Sequence, residues 1–289
     1  MATAPDARTR SSTVRVRTLR ARDREAALAR LRASARDDLF LMDVVRQIGA
    51  PAVVDVEAEV LGAWRGDRLV GLASLRPTVV IESSPEPAAL EALLGPLANL
   101  ASGLVRSETQ RVEPLWERLA RRGRRALVDR SEASLVLAPE AARLVEPSST
   151  HVRPAQAADL EPLVEAARAS LREEGRPDPF IGDPRGFRRW VAARLARALV
   201  AEWEGRVGWV GYADVRLPEG WLLQGVYTWP EARRRGLAAL GVSALCRAAF
   251  QAGADHVQLS VVDGNHAALA LYAKLGFRPH ATLRTLLFA

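Results

Sequence analysis

From Leu237 onward, apolar and small residues recur at Leu237, Leu240, Gly241, Ala244, Leu245 and Ala248, a spacing of three and four. That period predicts an amphipathic helix packed on a sheet. The residues before it alternate differently. Trp221 to Thr228 are rich in strand formers and end at Pro230, which predicts a strand running into a turn and then the helix. A second strand is predicted over His256–Val262, closed by Asp263-Gly264. A second helix follows, opened by Asn265 and stopped by Gly276.

The same patterns occur twice along the chain. Val14-Arg15-Val16-Arg17 precedes a helix-like run containing Asp23, and His151-Val152-Arg153-Pro154 precedes one containing Asp159. Leu61–Trp64 and Leu69–Ser74 flank an Arg-Gly-Asp turn, while Leu199–Trp203 and Val207–Ala213 flank Glu204-Gly205. Each pair predicts a hairpin. The first half adds strand-like Thr78–Ile81 and Ala133–Leu137 and a helix-like Val112–Leu119. Two diverged copies of one α/β unit are therefore expected, 1–146 and 147–289, joined through Leu137–Thr150.

At 289 residues and 48% hydrophobic content, each half is long enough for its own core. No apolar run reaches membrane-spanning length, and the N-terminus has no apolar signal core. One cysteine, Cys246, excludes an internal disulfide and a cysteine-rich zinc site, so a cytoplasmic protein without metal is expected. A net charge of +7 raises nucleic acid as a partner. Lys274 is the single lysine among 41 basic residues, and the charge is shared between the halves, which points to coding bias instead.

Reactive side chains are distributed unevenly. All three tyrosines, all four histidines and Cys246 follow residue 150. So does the basic turn Arg233-Arg234-Arg235-Gly236-Leu237-Ala238-Ala239. A glycine-bearing turn at a helix start aims several backbone N–H groups at one point, which suits a diphosphate. The backbone from Tyr227 to Ala239 is expected to form that anion cup. Asn265, Ala268, Leu269 and Tyr272 share one face of the second helix, so an amide and a phenol are expected to look into the same groove. Buried filler is expected of Cys246, a structural place of His256, and exposure of His266.

Two motifs together resemble the GNAT acetyltransferases. Val226-x-x-x-Pro230 leads to Arg-x-x-Gly-x-Ala, and Asn265-x-x-Ala268-x-x-x-Tyr272-x-x-x-Gly276-Phe277 follows. The resemblance covers about residues 151–289, and the first half is similar to a degenerate copy. It departs from the family's pattern at Arg234, where glycine is frequent, and at Ala238. It implies a tandem α/β fold with mixed sheets, acetyl-CoA as donor, and direct transfer to an amine of a small molecule or protein. It also implies that backbone groups of Val226 and Thr228 bind pantetheine and that the 234–239 amides bind the pyrophosphate. Asn265 would then contact the pantetheine arm, and Tyr272 would lie near the sulfur. In that chemistry the Val226 N–H would stabilise the oxyanion and Tyr272 would protonate the leaving thiolate. Glu202 and Asp214, on strands flanking the acceptor, and Glu231 are candidate bases. Two other readings of the same groove are an acyl-CoA sensor and a transferase of another acyl or aminoacyl group.

Overall fold

The computed structural model describes residues 13–50, 56–146 and 152–289. His151, the first twelve residues and the end of the expected junction lie outside these. The chain forms two compact units. One comprises the described residues up to Arg130 together with Leu283–Ala289, and the other comprises Ser131–Thr282.

In the first unit, β1 (Arg15–Thr18), β2 (Glu59–Arg65), β3 (Arg68–Arg76) and β4 (Val80–Ile81) make an antiparallel sheet in that order. Helices α1 (Arg24–Leu31), α2 (Ala35–Arg46), α3 (Pro87–Leu97) and α4 (Thr109–Arg121) accompany it, and β5 (Gly103–Glu108) lies between the last two. β5 is paired with the final residues of the chain, Leu283↔Glu108 through Phe288↔Gly103. Leu286 and Phe288 are buried with Val105, Leu93 and Leu115 in this unit's core.

α2 carries a buried acid. Asp38 is 1% exposed and accepts hydrogen bonds from Ser34 Oγ (2.7 Å), Ser83 N–H and Ser83 Oγ (both 2.8 Å). Burial outweighs these donors and pushes its carboxyl up to about 6. Between its unfolded value of about 3.9 and that value, the folded state holds the proton more tightly. Its contribution is therefore present below pH ~4 and lost as pH rises to ~6, a change of about 2–3 kcal/mol. Urea unfolding of wild type and Asp38→Asn at pH 4 and pH 7 should show this. The wild type loses that much relative to the variant, and parallel pH dependences would refute the assignment.

The second unit holds a mixed sheet in the order β6-β11-β10-β9-β8-β7. Its strands are β6 (Ala126–Leu137, whose first residues belong to the other unit), β7 (Val152–Pro154), β8 (Ala198–Trp203), β9 (Arg206–Leu217), β10 (Gly220–Thr228) and β11 (Val257–Val262). Only the β10–β11 pair among these is parallel. Glu204 and Gly205, with φ of 49° and 74°, close the β8–β9 hairpin as its left-handed turn requires. Helices α5 (Leu160–Glu173) and α6 (Pro184–Ala192) cover one face, where Leu163, Phe187, Val210, Tyr212 and Tyr227 are buried. Helices α7 (Leu237–Gln251) and α8 (His266–Lys274) pack with Trp209, Leu223 and Leu259. Gly241 belongs to the predicted helix face for a steric reason: a Cβ there would sit 2.3 Å from the Trp209 ring. Strand β12 (Arg278–Phe288) then carries the chain into the first unit.

The repeated Arg…Asp spacing is one physical device used twice. Arg17 donates to both oxygens of Asp23 (2.7 and 2.9 Å), and Arg153 donates to both oxygens of Asp159 (2.7 and 3.0 Å). Each aspartate also accepts a backbone N–H three residues back, from Arg20 and Gln156. The Arg17 guanidinium holds Asp23 at about 2, and Arg153 likewise lowers Asp159.

Candidate active site

β10 and β11 pair over two residues only, Trp221↔Val257 and Leu222↔Gln258. Beyond them the two parallel strands part. On its other edge β10 shifts register against β9 between Gln224 and Tyr227, where Gly225 takes φ +57°. The result is a bulge at Gly225-Val226 at the mouth of the parting, a device that re-aims backbone groups. Glycine is needed there because the Tyr212 ring lies 3.0 Å from where a Cβ would be.

The turn that follows is left-handed at two positions and open. Arg234 (φ +64°) and Gly236 (φ +81°) are both left-handed, and Gly236 is the N-cap of α7. A left-handed conformation costs an L-residue about 1–2 kcal/mol. Arg234 pays that cost where the resemblance has a frequent glycine. The first backbone bond returning into the helix is Leu240 N–H to Gly236 O at 3.1 Å, so the N–H groups of the first turn have no intrahelical acceptor. Arg234, Arg235 and Gly236 are exposed, and a Cβ on Gly236 would meet nothing within 4 Å. Leu237 is buried as an anchor, with Ala238 and Ala239 half-buried behind it.

Arg233 is used differently. Its guanidinium holds both oxygens of Glu173 at 2.7 and 2.8 Å and the Thr228 carbonyl at 3.1 Å. Tyr227 also donates to Glu173, at 2.9 Å. Arg233 and Tyr227 therefore fasten the turn to the end of α5, while Arg234 and Arg235 stay exposed.

Asn265 is exposed and caps α8, accepting the Ala268 N–H at 3.1 Å. The cap uses its oxygen, which leaves the amide nitrogen available to a ligand. Tyr272 is 6% exposed, edge-on to Phe277 at 5.5 Å, in the cluster that holds Cys246. No hydrogen bond to its hydroxyl occurs among the described residues. Burial, with a smaller contribution from Cys246, holds the phenol well above its usual value. The same surroundings push the Cys246 thiol up to about 12, so it is an inert filler. His266 is exposed, and His256 is buried against Gly220 with its carbonyl accepting the Trp221 N–H.

All three candidate bases are held by arginines. Glu202 pairs with Arg153 at 2.8 Å, Glu231 pairs with Arg206 at 3.3 Å, and Asp214 takes both Arg194 donors. Arg194 is also stacked over Trp190 and Tyr212 at 4.7 and 4.2 Å. Sequence reasoning did not identify Arg194 or Glu173. Their partners lie 20 and 60 residues away, beyond any local pattern.

The first unit's counterpart of the parting is closed. Across it the Val79 N–H donates to the Leu104 carbonyl of β5, the Val79 carbonyl accepts the Arg106 N–H, and the Ser107 hydroxyl accepts the Ile81 N–H at 2.8 Å. Helix α3 starts with Pro87 behind Glu86, whose carboxylate is paired with Arg65 and Arg68. Pro87 therefore offers no backbone N–H at the first helical position. Among the described residues there is no cluster able to hold a metal and no helix long and apolar enough to cross a membrane.

Residues 161–277 match the sequence profile of the acetyltransferase (GNAT) family. A Drosophila protein solved by X-ray crystallography has the same fold, with a TM-score of 0.72 at 16% identity, covering 94% of this chain and 98% of that one. A tandem GNAT protein from the clavulanic acid biosynthesis pathway gives 0.60 at 14% identity, covering 95% and 97%. A GCN5-related N-acetyltransferase from Sphaerobacter thermophilus gives 0.58 at 17%, covering 97% and 96%. No curated protein matches the sequence significantly. The chain thus carries, at residues 161–277, an acyltransferase domain of the acetyltransferase (GNAT) family within a two-unit, mixed α/β fold.

Proposed function

We propose that the protein transfers an acetyl group from acetyl-CoA directly to a primary amine, at the parting of β10 and β11. The observation that carries this reading is the exposed left-handed turn at Arg234–Gly236, which opens α7 beside that parting. The 234–239 amides with Arg234 and Arg235 hold the diphosphate, and backbone groups of Val226 to Thr228 pair with the pantetheine arm. Asn265 donates its free amide N–H to the same arm. Each bond to a charged oxygen contributes about 1.5–3 kcal/mol, so three or four suffice for firm binding.

In the reaction the acetyl C–N bond forms and the C–S bond breaks. The amine loses one proton to water in the groove, and the departing thiolate gains one. The Val226 N–H, aimed by the bulge, stabilises the oxyanion. Tyr272 supplies the thiolate's proton and regains one from the groove water that took the amine's. Its raised pKa keeps it protonated at neutral pH, and a thiolate forming beside it in the same dry surroundings is raised too, as Cys246 shows. The buried single cysteine suits a cytoplasmic enzyme.

Calorimetry with acetyl-CoA, followed by mass analysis of an amine panel, tests the reading. Binding at micromolar Kd and a gain of one acetyl group are expected. Binding without transfer indicates a sensor, transfer only from a longer acyl-CoA supplied in its place indicates another acyl group, and no binding overturns the proposal.

A further inference from the structure

The other face of the parting carries polar residues where a core would place apolar ones. Leu222 on β10 pairs with Gln258 on β11, which pairs with Val136 on β6. Two residues further along, Ser260 pairs with Ser134, and then Val262 pairs with Glu132. Gln224 lies level with Ser260 across the opening and pairs with Tyr212, which packs with α5 and α6. Paired residues share a face of the sheet. Gln224, Gln258, Ser260, Ser134 and Glu132 therefore form one stripe on the face opposite Leu223 and Leu259.

Gln258, Ser134 and Glu132 are buried, with Gln258 7% exposed. The Gln258 Oε1 is inaccessible and has no hydrogen-bond partner. A carboxamide without a partner is a poor choice for a core strand, since leucine or valine there would cost nothing in desolvation. Such a group is accounted for by a ligand that completes it.

We infer that this stripe receives the amine acceptor and that Gln258 selects it, its side chain turning out to accept a hydrogen bond from a hydroxyl or amide N–H carried by the substrate. This rests on the transferase reading above. Arg194, stacked on Tyr212 beside the bulge, is committed to Asp214, so the site suits a hydroxylated amine rather than an amino acid carboxylate.

Two amines of one skeleton, 2-aminopropane-1,3-diol and 2-aminopropane, test it by initial rates of CoA release with wild type and Gln258→Leu. Because the amines differ in basicity, the readout is the change in their kcat/KM ratio between the two proteins. The diol is expected to lose about tenfold or more relative to 2-aminopropane, or 1.4 kcal/mol. The acetyl-CoA Kd and the melting temperature should hold or improve. Gln258→Glu, which keeps an acceptor oxygen, should retain most of the ratio, and Gln258→Met replaces the leucine variant should that one not fold. A ratio unchanged within twofold overturns the inference and leaves the transferase intact. Transfer to neither amine also overturns it, and absence of acetyl-CoA binding overturns both.

Discussion

Tyr272→Phe lowers kcat by about 100- to 10,000-fold while leaving the acetyl-CoA Kd within about threefold. The hydroxyl has no hydrogen bond among the described residues, so removing it breaks no protein contact and leaves the edge-on packing with Phe277. Stability should therefore be unchanged or slightly higher, which separates a chemical effect from a structural one. In the proposed reaction Tyr272 acts as the thioester C–S bond breaks, so the loss belongs in kcat and not in binding. Stopped-flow release of CoA at saturating donor and acceptor measures it. An unchanged kcat would make Tyr272 a packing ring and leave the thiolate to solvent.

Gly236→Val weakens acetyl-CoA binding by about 10- to 100-fold, with kcat at saturation close to wild type. At φ +81° a β-branched residue forces the backbone to shift, and the amides of the first α7 turn lose their common aim. No protein atom lies within 4 Å of the new Cβ, so a clash with the fold does not explain the loss. Gly253 is the matched control. It has the same φ of +81° and open surroundings, but it lies past the other end of α7. Gly253→Val should destabilise similarly and leave the Kd alone. Equal weakening by both would mean that general strain, not ligand contact, governs the affinity.

The most legible parts of the site were local. The period of α7, the proline ending β10 and the glycine at the helix start each follow from steric or dihedral preferences within a few residues. Asn265 was legible as a helix opener for the same reason. Tyr272 was placed on the right helix but expected to face a groove. It is buried against Phe277 in the cluster with Cys246, because helix periodicity fixes a face and not the depth of what covers it. The candidate bases illustrate a different limit. Glu202, Asp214 and Glu231 were identified by their strands and neighbours, yet each is occupied by an arginine. An arginine-rich chain offers too many partners for a pairing to be read from spacing.

Residues 126–132 of β6 were not read as strand, since Asp129, Arg130 and Glu132 break the apolar alternation. Only pairing with β11 puts Glu132 and Ser134 beside Val262 and Ser260 and makes a polar stripe. The sequence by itself determined α7, α8, the two hairpins and the glycine turn ahead of α7, because these are written in short-range periodicity and backbone dihedrals. Tertiary structure alone decided that β12 ends among the first unit's strands, that the bases are paired, and that Gln258 lies buried without a partner. Those outcomes depend on which distant strands and side chains meet, and one-dimensional spacing carries no term for that.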